Sequence, residues 1–138
     1  MARRDVPQIE GQPGPMKFHL ATAPGLNLFS GYGDGYVAVN GVRHESSLVV
    51  LPERIVDPWD APTFDALAPA HFEFLSSLGV AVVLLGTGAR LRFPAVSLQR
   101  IVLETGTGLE TMDAMAACRT YNILATEGRR VAAAILLA

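Results

Sequence analysis

A glycine-threonine-glycine triplet stands where a phosphate-binding turn would be expected. Gly86-Thr87-Gly88 directly follows Val80–Leu85, an uninterrupted apolar run that predicts a buried parallel strand. This arrangement resembles the start of a dinucleotide-binding fingerprint, in which three glycines bring the backbone close to a pyrophosphate. However, Leu91 occupies the place of the third glycine, and Pro94 delays the following helix. The sequence therefore predicts no nicotinamide or flavin at this turn, and it indicates no other cofactor.

The same turn retains a weaker capacity to bind an anion. A tight turn at the carboxyl end of a parallel strand exposes backbone N–H groups, which attract negative charge. Arg90 and Arg92 follow shortly after and would add positive charge. On this interpretation Gly86, Thr87, Gly88 and Arg90 are candidate ligand-binding residues. The alternative is that the two glycines only allow the backbone to turn.

The predicted helix 113–127 carries the remaining polar candidates. Asp113 stands at its start, where a carboxylate caps a helix. At that position it would also border a crevice beside the turn at residues 86–88. Arg119 and Asn122 lie about one turn apart and, at 100° per residue, outside the arc of apolar side chains. They form a candidate polar cluster, either structural or ligand-binding. Cys118, the only cysteine, lies mid-helix on the small-residue face and is predicted to be a core thiol.

Other catalytic patterns are missing from the sequence. His19, His44 and His71 lie in three separate predicted elements, without the spacing of a metal-binding motif. No Gly-x-Ser-x-Gly sequence is present to form a nucleophile elbow. The only tryptophan, Trp59, lies in a proline-containing connector and is interpreted either as a lid over the core or as an anchor for a partner. The residues thus indicate no metal and no catalytic set, which favours a protein that is not an enzyme.

Composition narrows the function classes further. The chain has 138 residues, of which 50% are hydrophobic and 17% are charged, and this excludes a disordered tail. Its formal charge of −2 argues against a nucleic-acid partner, because binding to phosphates requires basic excess. The longest apolar runs, Val80–Leu85 and Val131–Ala138, fall short of the roughly 20 residues that span a bilayer. We expect a cytoplasmic protein that does not span a membrane.

Local patterns predict one α/β domain over residues 16–138, preceded by a flexible arm at 1–15. Asn40-Gly41 between β-branched runs predicts a hairpin of strands 35–39 and 42–51, because a type I′ turn needs two residues with positive φ. We predict a strand at 16–22, a glycine-rich loop at 26–35, a connector at 52–63, helices at 69–78, 94–104 and 113–127, and strands at 80–85, 109–112 and 130–137. This order predicts a single compact three-layer domain with one mixed central sheet and an N-terminal β-hairpin.

Several blocks of sequence also resemble a known family. They are Asn40-Gly41-Val42, Leu84–Gly88 with Phe93-Pro94, Glu110–Asp113, Ala117–Leu124 and Glu127–Ala132. Together they resemble the small-domain family that includes mitochondrial respiratory complex I assembly factor 3 and the adipogenesis-associated domain protein. The resemblance implies a three-layer α/β fold and a non-catalytic role in the assembly of NADH:ubiquinone oxidoreductase. It supplies no catalytic residues.

Two functional hypotheses follow. The first is a binding or assembly module with protein partners, including respiratory complex subunits, that uses Tyr32, Trp59 and Arg92. A homodimer through the polar edge strand 43–46, or through an exposed patch of Tyr and Phe side chains, is also considered. The N-terminal sequence has no transit-peptide pattern, so we expect a bacterial-type cytoplasmic member, with a mitochondrial one as the alternative. The second hypothesis is a small-molecule (anion) binder or enzyme that uses the crevice between residues 86–88 and Asp113.

Overall fold

The computed structural model describes residues 16–17 and 25–137. The predicted arm at 1–15 and most of the predicted strand at 16–22 lie outside the described residues. In chain order the elements are β1 Met16–Lys17, β2 Phe29–Gly33, β3 Tyr36–Val39, β4 Val42–His44, β5 Leu48–Leu51, β6 Arg54–Val56, a 3₁₀ turn Phe64–Ala66, α1 Pro69–Ser76, β7 Val82–Thr87, α2 Val96–Leu103, β8 Gly108–Met112, α3 Ala114–Thr126 and β9 Val131–Leu136.

A mixed five-stranded sheet forms the centre of the domain, as predicted. Its strand order is β6-β5-β9-β7-β8, with β7 parallel to both β8 and β9 and β5 antiparallel to β9. The crossover through α2 leads from β7 to β8, and the one through α3 leads back past β7 to β9. Because right-handed crossovers in opposite directions lie on opposite faces, α2 and α3 cover different sides of the sheet.

The two faces of this sheet bury two separate cores. Alternate residues of β5, β7 and β9 point to each side, so that Leu84 packs against α3 while Val83 and Leu85 pack against α1 and α2. Every residue of β9 is buried. This explains why β7 and β9 appear in the sequence as uninterrupted apolar runs.

A second, antiparallel sheet of order β1-β2-β3-β4 corrects the prediction of a single sheet. The segment predicted as a glycine-rich loop forms β2, with an irregularity between Phe29 and Gly31, and pairs with β3. Gly33 allows this pairing, because a Cβ atom there would overlap the ring of Tyr36. Together with α3, this sheet forms the layer that buries one face of the mixed sheet.

The hairpin around Asn40-Gly41 is confirmed, since both residues have positive φ, 51° and 83°. The prediction of one strand over 42–51 is wrong. The chain leaves the antiparallel sheet after β4, and β5 belongs to the mixed sheet. The predicted connector 52–63 also begins with an unpredicted strand, β6, which pairs with β5. β6 is only three residues long, so its own sequence carries little strand signal, and it forms because β5 lies beside it as a pairing partner.

Candidate functional site

A cavity of about 310 Å³ opens at the carboxyl ends of β7 and β9. Three structural units meet there: the turn between β2 and β3, the chain that leaves β7, and the first turn of α3. The end of β9 completes the floor. The lining residues are Tyr32, Gly33, Asp34, Gly35, Tyr36, Val37, Gly88, Ala89, Ala114, Met115, Leu136 and Leu137.

The sequence around α3 explains how this cavity is held open. The Asp113 carboxylate accepts a hydrogen bond from the Ala116 N–H at 2.9 Å and so caps the helix, as predicted. The Ala114 N–H donates to the carbonyl of Gly88 at 2.8 Å, which fixes the helix start against the turn after β7. Gly88 adopts a φ of 93°, a conformation that glycine adopts without strain.

The triplet Gly86-Thr87-Gly88 does not turn as a unit. Gly86 and Thr87 are the last two residues of β7, and only Gly88 belongs to the turn. A Cβ atom on Gly86 would lie 3.0 Å from Ala114 and Ala117, so this glycine permits close packing of α3 on the sheet. The Thr87 hydroxyl donates to the Arg90 carbonyl at 2.7 Å and accepts from the Arg92 N–H at 3.1 Å. Of the three residues, Gly88 alone lines the cavity.

The two arginines after β7 have different surroundings. Arg92 donates to Asp65 at 3.0 Å, and its guanidinium carbon lies 4.1 Å from the ring centre of Phe64. Arg90 is exposed, and within the described part of the chain it forms no ion pair. Neither arginine lines the cavity.

Asn122 and Arg119 both join α3 to β2, but through different partners. Asn122 is buried; its side-chain amide donates to the Phe29 carbonyl at 2.8 Å and accepts from the Phe29 N–H at 2.9 Å. Arg119 is exposed and donates to the Tyr32 hydroxyl at 3.3 Å. Arg119 therefore supports Tyr32, a side chain of the cavity wall. Asn122 instead satisfies the backbone hydrogen-bonding groups of Phe29, next to the irregularity in β2.

Cys118 and the two aromatic partner-binding candidates, Trp59 and Tyr32, are buried in the protein. Cys118 is fully buried, and this burial raises the pKa of its thiol to about 12, so the reactive thiolate does not form at neutral pH. Trp59 is only 4% exposed and meets the His71 ring edge-on, with 5.8 Å between ring centres. Tyr32 is 6% exposed and lines the cavity.

Several residues that line the cavity were not predicted as site residues from the sequence. Gly33–Gly35 belong to the predicted glycine-rich loop and Tyr36 to the predicted hairpin strand, and neither was assigned to a site. Met115 is an apolar residue and was not predicted to line a site either. The segment's aromatic residues between glycines could have indicated a ligand-facing turn. Among the described residues, no group of three or more His, Cys, Asp or Glu side chains could hold a metal ion.

The end of the molecule opposite the cavity carries the last block of the family resemblance. Arg129 and Arg130 line a second cavity, of about 220 Å³, together with Glu53 and the apolar residues Leu78 and Val80. This cavity lies beside the start of β9 and the end of α3. A second Gly-Thr-Gly sequence, Gly106-Thr107-Gly108, lies at this same end. It is at the opposite edge of the mixed sheet from Gly86-Thr87-Gly88, because β7 and β8 are parallel with Val82 paired to Gly108.

The polar segment 43–46 lies at an edge of the antiparallel sheet. β4 is the last strand of that sheet and pairs only with β3 in the described structure. Arg43 bonds to Glu45 at 2.7 Å and lies over the ring of Tyr36, 3.8 Å from its centre. These contacts keep two charged side chains on the exposed edge, a feature that discourages uncontrolled strand pairing.

Comparison with known proteins places this fold in a family. Residues 29–136 match the model of a family described as "Protein of unknown function (DUF498/DUF598)". The chain belongs to this family. A crystal structure of a Bordetella parapertussis protein is 38% identical with a TM-score of 0.78, and it covers 85% of this chain and 100% of that one. A Bordetella pertussis protein described as an Mth938-like domain is 33% identical with a TM-score of 0.74, covering 88% of this chain and 92% of that one.

Among curated proteins, the chain is similar to bacterial and animal relatives. An uncharacterized protein of Rhodobacter capsulatus is 36% identical over 108 residues, covering 77% of this chain and 81% of that protein. NADH dehydrogenase (ubiquinone) 1 alpha subcomplex assembly factor 3 of Bos taurus is 30% identical over 104 residues, which is 74% of this chain and 55% of that protein. The chain therefore spans about half the length of that assembly factor. The family resemblance seen in the sequence is confirmed.

None of the helices in the described part of the chain is long and apolar enough to cross a membrane.

Proposed function

We propose that this protein is a non-catalytic binding module that assists the assembly of respiratory NADH:ubiquinone oxidoreductase. The observation that carries the proposal is the chemistry of the cavity at the carboxyl ends of β7 and β9. Its walls are aromatic and aliphatic side chains together with the backbone of two glycine turns. Such a socket suits an apolar side chain of a partner protein, since interface cores favour aromatic residues and Met.

The lining groups offer no reaction mechanism. The ionisable groups among the described lining residues are the carboxylate of Asp34 and the hydroxyls of Tyr32 and Tyr36. A nucleophile needs a neighbouring base, and that base needs a group to orient it. Among the lining residues that the structure describes there is no His, Ser or Cys, and the buried Cys118 lies elsewhere on α3. Binding is therefore the function that this cavity supports best.

The relatives support a partner class. The similarity to assembly factor 3 favours subunits of the respiratory NADH dehydrogenase as partners. On this proposal the module acts in the bacterial cytoplasm, with mitochondria as the alternative compartment. Tyr32 and Met115 would contact the partner directly. Arg119 would act through Tyr32, to which it donates a hydrogen bond.

A second candidate function is the binding of a small molecule, in particular an anion. The cavity volume of about 310 Å³ lies at the lower end of the range for ligand sites, roughly 300 to 1,000 Å³. Its position at the carboxyl ends of parallel strands also favours ligand binding in open α/β sheets. On this second proposal Gly88 and the start of α3 after Asp113 form the site. Gly86, Thr87, Arg90 and Asn122 do not line the cavity. Gly86 allows close packing of α3 on β7, Thr87 holds the loop that carries Arg90, and Asn122 holds β2 against α3.

A pair of matched variants tests the first proposal. Ala89 and Ala81 are exposed alanines at the two ends of β7, and only Ala89 lines the cavity. Ala89→Trp fills the mouth of the cavity, while Ala81→Trp adds the same bulk at the opposite edge. Each tagged variant is expressed at the endogenous level, and its captured partners are identified by mass spectrometry against an untagged control.

The expected result is enrichment of respiratory NADH dehydrogenase subunits or their assembly partners by the wild type and by Ala81→Trp. We expect Ala89→Trp to lose them. Equal capture by both variants contradicts the role of the cavity. If the wild type captures no such protein and a metabolite screen shows a thermal shift that Ala89→Trp abolishes, the second function replaces the first.

A further inference from the structure

The strand β8 forms an open edge of the mixed sheet. It is last in the strand order, and within the described residues it pairs only with β7. All of its residues are half-buried or exposed, whereas every residue of β9 is buried. Among the strands that end a sheet in the described structure, β8 is the longest, because β1, β4 and β6 have only two or three residues. An open edge of this kind is a template for a further strand.

The hydrogen bonds to β7 fix which backbone groups of β8 face outward. The Gly108 N–H donates to the Ala81 carbonyl at 2.9 Å, so the backbone groups of Gly108 face β7. Because these groups alternate along the strand, Glu110 also directs its N–H and C=O toward β7, while Leu109 and Thr111 direct theirs away from it. The outward groups of Leu109 and Thr111 therefore have no strand partner in the part of the chain that the structure describes.

The side chains of β8 leave this edge accessible to another strand. Glu110 is the only charged residue of β8, and the strand contains no proline or lysine, the residues that commonly protect sheet edges. Leu109 is half-buried and packs against the core on the α1 and α2 side. Thr111 lies on the same face as Leu109, and Glu110 lies on the opposite face, because side chains alternate along a strand.

The sequence around Leu109 is complementary to itself in an antiparallel pair. When Leu109 of one copy lies opposite Leu109 of another, Thr107 meets Thr111 and Gly108 meets Glu110. Threonine pairs and apolar pairs are favourable across strands, and the glycine leaves the Glu110 carboxylate without an opposing charge. A register that placed Glu110 opposite Glu110 of the other copy would bring two like charges together, so it is disfavoured.

We propose that β8 pairs with β8 of a second copy of this chain, antiparallel and centred on Leu109, so that the two mixed sheets become one continuous sheet. The pairing gives three hydrogen-bonded residue pairs, the central leucines and the two Thr107–Thr111 pairs. Each pair exchanges two bonds, so the edge gains about six backbone hydrogen bonds. Because an edge of this length buries little area, we expect a dimer in equilibrium with the monomer.

This inference is independent of the proposed assembly role. No residue of β8 is among the described residues that line the cavity at the carboxyl ends of β7 and β9. A partner can therefore bind at the cavity whether or not the chain dimerises, and each surface can be altered without changing the other.

Sedimentation equilibrium and residue-resolved amide hydrogen exchange, both on the full chain, test the proposal. Each is measured from about 10 µM to about 1 mM, a range in which weak dimers dissociate. We expect the average mass to rise with concentration from that of the monomer toward that of the dimer. The N–H groups of Leu109 and Thr111 should exchange more slowly at high concentration, because they gain acceptors in the second copy. The N–H of Glu110, which already faces β7, is the internal control.

Charge variants at position 108 test the register. A Cβ atom on Gly108 meets its nearest neighbours at 3.4 Å, an ordinary contact, so the fold tolerates a side chain there. Gly108→Glu places a carboxylate opposite each Glu110 and should weaken the dimer about fivefold, while Gly108→Lys should strengthen it about as much. The double variant Gly108→Glu/Glu110→Lys restores opposite charges and should recover the dimer. Val42→Glu and Val42→Lys, on an exposed side chain of the other sheet, add the same charges and should leave the dimer unchanged.

Four results overturn the proposal. One is a monomer mass at every concentration, and another is a dimer in which the N–H groups of Leu109 and Thr111 exchange as fast as in the monomer. The third is an equal effect of the variants at positions 108 and 42. The fourth is slow exchange of these two N–H groups while the chain is still monomeric, because another segment of the same chain would then cover β8. Circular dichroism confirms that each variant is folded. Ala89→Trp, which tests the cavity, should dimerise like the wild type, so failure of the assembly role and failure of the dimer give different patterns.

Discussion

Asn122 connects two parts of the chain that are 93 residues apart, and its replacement tests how the antiparallel sheet is held to α3. Its side chain makes two hydrogen bonds to the backbone of Phe29, at 2.8 and 2.9 Å, and is 2% exposed. Asn122→Ala leaves one buried N–H and one buried carbonyl without this partner. Each unsatisfied group costs about 1–3 kcal/mol, so we expect the free energy of unfolding to fall by roughly 2–6 kcal/mol.

Urea unfolding followed by circular dichroism measures this change. For a domain of this length, 1 kcal/mol corresponds to a shift of roughly 3–4 °C in Tm, so in a thermal melt the midpoint should fall by about 6–24 °C. Ile123→Ala is the matched control, because Ile123 is the next residue of α3 and is 60% exposed. Its effect should stay within about 0.5 kcal/mol. A loss from Asn122→Ala that is no larger than the control would refute the reasoning.

Three further predictions concern packing and burial. Gly86→Ala should destabilise the fold by about 1–3 kcal/mol, because the new Cβ lies 3.0 Å from Ala114 and Ala117; Gly108→Ala, whose nearest neighbours lie at 3.4 Å, should be close to neutral by urea unfolding. The Cys118 thiol should react with a disulfide reagent only after unfolding. Burial raises the pKa of this thiol from 9.0 to about 12, so the unfolded chain loses the thiol proton at a lower pH than the folded chain does. The contribution of the protonated thiol to stability is therefore complete below about pH 9 and declines between pH 9 and pH 12. Urea midpoints of the wild type and Cys118→Ala, measured across this pH range, will reveal the decline. Fluorescence of the single tryptophan, Trp59, should resist quenching by iodide in the folded protein, because the side chain is 4% exposed; strong quenching would show that it lies at the surface.

Strong local patterns made the central elements predictable from sequence. β7 and β9 are apolar runs because both faces of the mixed sheet are covered, and α3 has a capping aspartate at one end and Gly128 after the other. The Asn40-Gly41 turn requires two positive φ angles, so its sequence nearly determines its structure. These features depend on a few neighbouring residues.

β2 and β6 could not be predicted because each is short and is stabilised mainly by pairing with the neighbouring strand, β3 or β5. The sequence of β2, Phe-Ser-Gly-Tyr-Gly, has weak strand propensity, and it becomes a strand by pairing with β3 and packing against α3. Asn122 lay outside the apolar arc of the helix, yet the backbone of Phe29 buries it. A helical wheel shows residue types and angles, but it does not show which segment will cover an edge of the arc.

The candidate site was predictable in part for the same reason. The rule that ligands bind at the carboxyl ends of parallel strands located Gly88 and the start of α3. The opposite wall, with Tyr32 and Tyr36, comes from a sheet that the sequence did not predict. Met115 lines the cavity because α3 begins directly at its rim, a position that residue type alone does not indicate.

Site-specific photocrosslinking from the mouth of the cavity tests the binding proposal most directly. Met115 and Ile123 are exposed on the same helix, at 45% and 60%, and only Met115 lines the cavity. Each is replaced in turn by p-benzoylphenylalanine, and the crosslinked proteins are identified after irradiation of living cells. We predict that position 115 captures a respiratory NADH dehydrogenase subunit and that position 123 does not. Capture of the same protein equally from both positions, or no capture of such a subunit from position 115, would contradict the proposal.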